Sequence, residues 1–146
     1  FRKTHCRAAE SIRGTMMPTK ISSRKNKGRK LQNDIAQMIS KVTCVPAGKD
    51  LDIESRGMGQ TGRDVILRGR AKELFCFHGI ECKACESLNI WAALKQAETH
   101  GGKPIVFFKR NRSETYVAMK ADDFFELYAL VVKEMENGNE IKCNQN

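Results

Sequence analysis

Residues 80–85 read IECKAC. They follow Phe75 and Phe77 so closely that the run 75–83 is expected to form a strand bounded by polar turns. Side chains alternate along a strand, so Glu81 and Lys83 share one face while Ile80 and Cys82 share the other. A lone carboxylate held dry is costly. The Glu81 face must therefore be ion-paired, wet or bound to a cation. The stretch DVIL at 64–67 reads as the preceding strand, and hairpin-like pairing sets Asp64 beside Glu81. Two carboxylates at one place repel unless a cation lies between them. Hard oxygen donors with room left for water and phosphate suit Mg²⁺ or Mn²⁺. Lys83, beside such a cation, can orient an attacking water or hold negative charge developing on a phosphoryl group. The competing reading of E-x-K is a solvated ladder of charges on an edge strand.

Working outward, apolar residues Leu31, Ile35, Met38 and Ile39 fall at helical spacing, which predicts a helix over 28–40. Residues 46–62 are rich in glycine and charge and read as a loop ending in RGMGQTG, whose glycines let backbone N–H groups approach a phosphate. Residues 68–73 read as a polar turn. A helix is expected over 88–98, with Leu88, Trp91, Ala92 and Lys95 on one side and Ser87 or Asn89 as its cap. Gly101-Gly102 ends it. Strands at 105–109 and 115–119 flank the turn NRSE. A last helix from Asp122 is expected to turn Phe124, Phe125, Tyr128, Val131 and Val132 inward, with Trp91 in the core. The order is αββαββα, an α/β fold with one mixed sheet flanked by helices.

The chain has 146 residues and a formal net charge of +9. Residues 1–30 hold ten Lys and Arg against one acid, Glu10, and so carry the whole excess; the other sixteen bases balance sixteen acids. The basic character is an arm over 1–27, suited to nucleic-acid phosphates or to a solvated tail. Met16 and Met17 are candidate starts, which would make 1–15 upstream translation. The N-terminus lacks the apolar stretch of a secretory signal, and an Arg-rich transit peptide is the other reading of it. No run is long and apolar enough to span a membrane. The domain is expected over 28–137, with 138–146 a frayed tail.

Six cysteines are read as reduced thiols. Cys82 and Cys85 have zinc-like spacing, but a second such pair is missing; a core role for Cys82 competes with a zinc clip. His78 is assigned to core or edge, and His5 and His100 receive no role. Lys109, Arg110 and Arg112 flank a hairpin tip and could grip a phosphate backbone or simply be solvated.

DVIL, then IECK, then a helix carrying Gln96, resembles the core of the PD-(D/E)-x-K nuclease superfamily. KGRKLQ at 27–32, MGQTGRD at 58–64, LNIWAALKQA at 88–97 and FKRNRSETYV at 108–117 are similar, in this order, to small phage-type endonucleases related to Holliday-junction resolvases. The resemblance covers roughly residues 25–130. It implies a restriction-endonuclease-like fold and Mg²⁺-dependent (or Mn²⁺-dependent) hydrolysis of DNA phosphodiesters, selective for branched or junction DNA. It further implies Asp64 and Glu81 as metal ligands with the Cys82 backbone carbonyl, Lys83 as the catalytic lysine, and Gln96 near the scissile phosphate. Gln32 stands where such enzymes often carry a glutamate, with Asp34 the other nearby position. Arg63 replaces the proline of the motif's name. Expected DNA contacts are Arg24, Lys25, Lys27, Arg29, Lys30, Arg56, Gln60, Arg63, Lys109, Arg110 and Arg112. A homodimer and a cytoplasmic setting, in a bacterium or phage-infected cell, also follow from the resemblance. The alternative is a protein that keeps the fold and binds nucleic acid without cutting it.

Overall fold

The computed structural model describes residues 21–57 and 60–137. Helix α1 spans Ile21–Thr43. It buries Leu31, Ile35, Ala36 and Ile39, while Met38 is exposed. The arm expected over 1–27 is thus already helical from Ile21. Lysine and arginine are good helix formers when their heads can stay in water, so a basic run does not preclude helix. The rest of that arm, with His5, and the tail 138–146 lie outside the described residues.

Strand β1 (Ile53–Ser55) pairs antiparallel with β2 (Val65–Leu67), Ile53 opposite Leu67. A loop had been expected over 46–62. Three residues are too few to show a period of two, and Ile53 is fixed by complete burial, which local composition does not reveal. Helix α2 (Gly69–Leu74) replaces the expected polar turn. Its first turn is satisfied from a distance: the Asp52 carboxylate accepts from the Arg70 N–H at 3.1 Å.

Strand β3 is Gly79–Ala84, so the strand expected from residue 75 starts four residues later. The His78 ring packs against the chain there, Nε2 lying 2.9 Å from the Lys72 carbonyl oxygen. Helix α3 (Ile90–Glu98) is capped by Asn89, whose side chain accepts from the Ala92 N–H at 3.1 Å. Gly101 and Gly102, with φ of 74° and 76°, turn the chain into β4 (Pro104–Lys109). Strand β5 (Tyr116–Met119) and helix α4 (Ala121–Glu136) complete the order αββαβαββα.

The fold is α/β, but the strands form two sheets and not one. β1 and β2 make a two-stranded sheet; β3, β4 and β5 make a three-stranded one in that order, β3–β4 parallel and β4–β5 antiparallel. One face of the larger sheet, with Ile80, Cys82 and Ile105, joins the α1 core. The opposite face, with Val106, meets Ala93 and Ala97 of α3. Close approach of α3 needs Gly79: a Cβ there would sit 2.6 Å from the Ala97 carbonyl oxygen and 3.3 Å from the Pro104 Cα.

Two expectations about apolar residues are overturned. Trp91 is 79% exposed, and α3 buries Ala93 and Ala97, not the side carrying Trp91. Helix α4 has no buried residue, and Phe124, Phe125, Tyr128 and Val132 all face solvent. Helical periodicity reports that a helix has an apolar face; it does not report which way that face points.

Candidate active site at the free edge of β3

β3 is an outer strand of its sheet. Its unpaired edge is met by the residue just before β2. The Asp64 N–H donates to the Ile80 carbonyl at 2.9 Å, and Asp64 Oδ2 accepts from the Cys82 N–H at 2.7 Å. Asp64 therefore clips the strand edge with both main chain and side chain. A strand residue's N–H and C=O point the same way, so the Cys82 carbonyl also faces this edge. The resemblance assigns that carbonyl to a metal.

The alternation expected from IECK holds. Cys82 belongs to the α1-side core, and Glu81 and Lys83 face α3. Glu81 is 3% exposed and is the one buried charged residue among the described residues. Its Oε1 accepts from Lys83 Nζ at 2.6 Å, and its Oε2 lies 3.1 Å from His100 Nε2. Lys83 Nζ also donates to Gln96 Oε1 at 2.9 Å. Asp64 Oδ1 accepts from Gln32 Nε2 at 2.7 Å. Gln32 and Asp64 thus join Glu81, Lys83 and Gln96 at one place, while Asp34 is exposed on a different side of α1.

His100 is the member that sequence reasoning missed. It follows Gln96 by four residues, one helical turn, so the same helix end presents both side chains to β3. The loop holding it is secured by Arg63, whose Nη2 donates to the His100 carbonyl at 2.8 Å. Arg63, expected on DNA, thus acts within the chain.

Burial first, and then the nearby Glu81 carboxylate, push the Asp64 carboxyl up to about 6 against the opposing pull of the Cys82 N–H and the Lys83 ammonium. Burial also holds the Cys82 thiol well above its ordinary range. A desolvated carboxylate beside a second one is the arrangement that a divalent cation relieves. Asp64, Glu81 and the Cys82 carbonyl are a hard-oxygen donor set of the kind Mg²⁺ accepts with several waters retained. Gln32 would join it only by turning its carbonyl oxygen, not its present NH₂ group, toward the centre. No cluster of three or more His, Cys, Asp or Glu side chains able to hold a metal exists among the described residues. Cys82 is buried and Cys85 exposed.

Basic grooves lie on either side of α1. One, of 330 Å³, runs from Asp64 past Gln32 and Gly28 to Lys25, Arg29 and Arg56. It continues into a 690 Å³ groove that shares Arg29, Arg56, Gly57 and Gln60. Part of the RGMGQTG stretch, Met58 and Gly59, lies outside the described residues. On the other side Lys27, Lys30, Lys109, Arg110 and Arg112 line a 200 Å³ pocket. The hairpin tip carrying the last two is braced: the Asn111 N–H donates to Glu86 Oε1 at 2.8 Å, and the Arg110 N–H to Ser113 Oγ at 2.9 Å. Arg24 is exposed one turn before Gly28 on α1.

No protein-family model, no curated protein and no solved structure matches the chain. No helix among the described residues is long and apolar enough to cross a membrane.

Proposed function

We propose that this protein is a divalent-metal-dependent DNA endonuclease of the PD-(D/E)-x-K type, with a restriction-endonuclease-like core, acting on branched, junction-like DNA. The observation that carries the reading is the convergence of Asp64, Glu81, Lys83 and Gln96 on one strand edge between basic grooves. Asp64, Glu81 and the Cys82 carbonyl would hold Mg²⁺ or Mn²⁺. Bound there, the ion would lower the pKa of a water and neutralise charge on the phosphoryl oxygens. Lys83, half-exposed and anchored on Glu81 and Gln96, would direct its remaining proton toward the attacking water or the phosphate. Gln96 would keep that ammonium in place. Lys25, Arg29 and Arg56 would seat the phosphodiester backbone beside Asp64, and Lys27, Lys30, Lys109, Arg110 and Arg112 would hold a second stretch of it across α1.

A binding protein without cleavage is the second reading. It is favoured by Gln32, a neutral donor to Asp64, and by the fact that each oxygen of Asp64 and Glu81 already has a hydrogen-bonding partner within the chain. A labelled panel of four-way junction, fork, nicked and linear duplex, incubated with Mg²⁺ or Mn²⁺, separates the two. Metal-dependent cutting by the wild type that Lys83→Ala abolishes is the expected result. Binding of the junction with no cutting by either protein would establish the second reading.

A further inference from the structure

We infer that the α3-side face of the larger sheet carries a subsite for one unpaired nucleotide, whose base stacks on the Phe108 and Tyr116 rings beside Lys83. The inference deepens the nuclease reading and rests on it for what lies next to that base, a reacting phosphodiester. The stacking itself stands on the register of the sheet.

Lys83 of β3 lies opposite Phe108 of β4, and Phe108 lies opposite Tyr116 of β5. Residues opposite one another across a ladder share a sheet face, with about 4.8 Å from strand to strand. Lys83 faces α3, so the two rings do as well, and Phe108 packs there against the cluster of Ala93, Ala97 and Val106. The ring centroids of Phe108 and Tyr116 are 5.9 Å apart and the planes are inclined by 30°. Phe108 is half-buried, while Tyr116 is 58% exposed. One row across the sheet therefore runs from the candidate catalytic lysine through a supported ring to an open one. Tyr116 has ring surface left for another aromatic plane.

The rings stand in a 460 Å³ cavity, within the roughly 300–1,000 Å³ range of small-molecule clefts. Leu88 and Ile90 add apolar wall; Lys109 and Arg110 also line it, and among the described residues no carboxylate does. Planar apolar surface bordered by cations alone suits a base together with its phosphate. An apolar peptide or a second copy of the chain would leave those cations unanswered. Lys109 and Arg110 also line the pocket that holds Lys27 and Lys30, so a strand leaving the rings stays on basic surface. Inside a duplex both faces of a base are covered by its neighbours, and only an unpaired base has a face to offer a side chain. The subsite thus narrows the substrate class to DNA with an unpaired nucleotide next to the phosphodiester that is cut.

The test is binding of the full chain to two strands of about ten nucleotides, oligothymidylate and an abasic strand of equal length and charge, by fluorescence anisotropy in EDTA so that nothing is cut. The wild type is expected to prefer the thymidylate by about tenfold. Tyr116→Ala should erase that preference and Tyr116→Phe should keep it. Phe125→Ala, which removes an exposed ring on α4, should leave it as it is. Arg110→Gln should weaken both strands alike, the mark of a phosphate contact. Equal wild-type affinity for the two strands would overturn the inference, leaving the rings to a peptide or a second copy. So would a preference that survives in Tyr116→Ala, which would place the base elsewhere. Cutting with Mn²⁺ is scored on separate samples. Base preference without cutting upholds the subsite and counts against the nuclease reading; cutting without base preference does the reverse.

Discussion

The free edge of β3 and the face of α4 both invert the usual distribution of polarity, in opposite directions. At β3 a carboxylate is inside: Glu81 is 3% exposed. On α4 the aromatic rings are outside. The difference lies in how each is supported. Glu81 is held by Lys83 and His100, its neighbour Asp64 by Gln32 and the Cys82 N–H, and these holding groups come from three parts of the chain: α1, β3 and the turn after α3. Among the described residues, the ring partners of Phe124, Phe125 and Tyr128 all lie within α4 itself. A buried charge with a complete set of partners points to a site.

Removing the buried carboxylate should have the largest effect. Glu81→Ala is expected to lower the cleavage rate by on the order of 10³-fold, read in single-turnover assays. Retention of full cutting would remove Glu81, and with it this site, from the proposed chemistry. Stability should be hit hardest in the core that supports the edge: Ile80→Ala is expected to cost about 2–5 kcal/mol in urea titration. Phe125→Ala, by contrast, should change stability by less than about 0.5 kcal/mol, because that ring is exposed. Equal costs at both positions would break the comparison.

The pH dependence of the metal-free protein should sharpen it. The folded-state pKa of Asp64 is raised, so the protonated form is favoured by the fold. Its stabilising contribution is complete below the ordinary value of 3.8 and is lost as pH rises through about 6. Melting temperature should accordingly fall across that window, and Asp64→Asn should flatten this component. Mn²⁺ added at pH 7.5 (roughly a unit or more above that carboxyl's titration) should restore stability to the wild type and not to Asp64→Asn. The smallest effect expected is local: Asn89→Ala, removing the cap of α3, should cost about 1 kcal/mol in the same titration.

Much of the site was legible in local sequence because strand alternation is a local rule. It set Glu81 and Lys83 on one face and Cys82 on the other, and the helix carrying Gln96, its cap and its glycine stop could be read from nearby residues. Strand β1 and helix α2 were not legible. The first is three residues long, and the second is capped by Asp52 from far along the chain. His100 was within reach, one turn beyond Gln96, but a histidine beside two glycines looks like a loop residue until its partner is known.

By itself the sequence determined the periodicities: which residues share a face of β3, of α1 and of α4, and where the breaks fall. Periodicity is a property of the backbone and needs no neighbours. Only the tertiary structure decided that Asp64 would close the β3 edge, that Gln32 and His100 would complete its surroundings, and that the apolar face of α4 would turn outward. Those outcomes depend on which surfaces meet, and burial is a property of the assembled chain rather than of any segment in it.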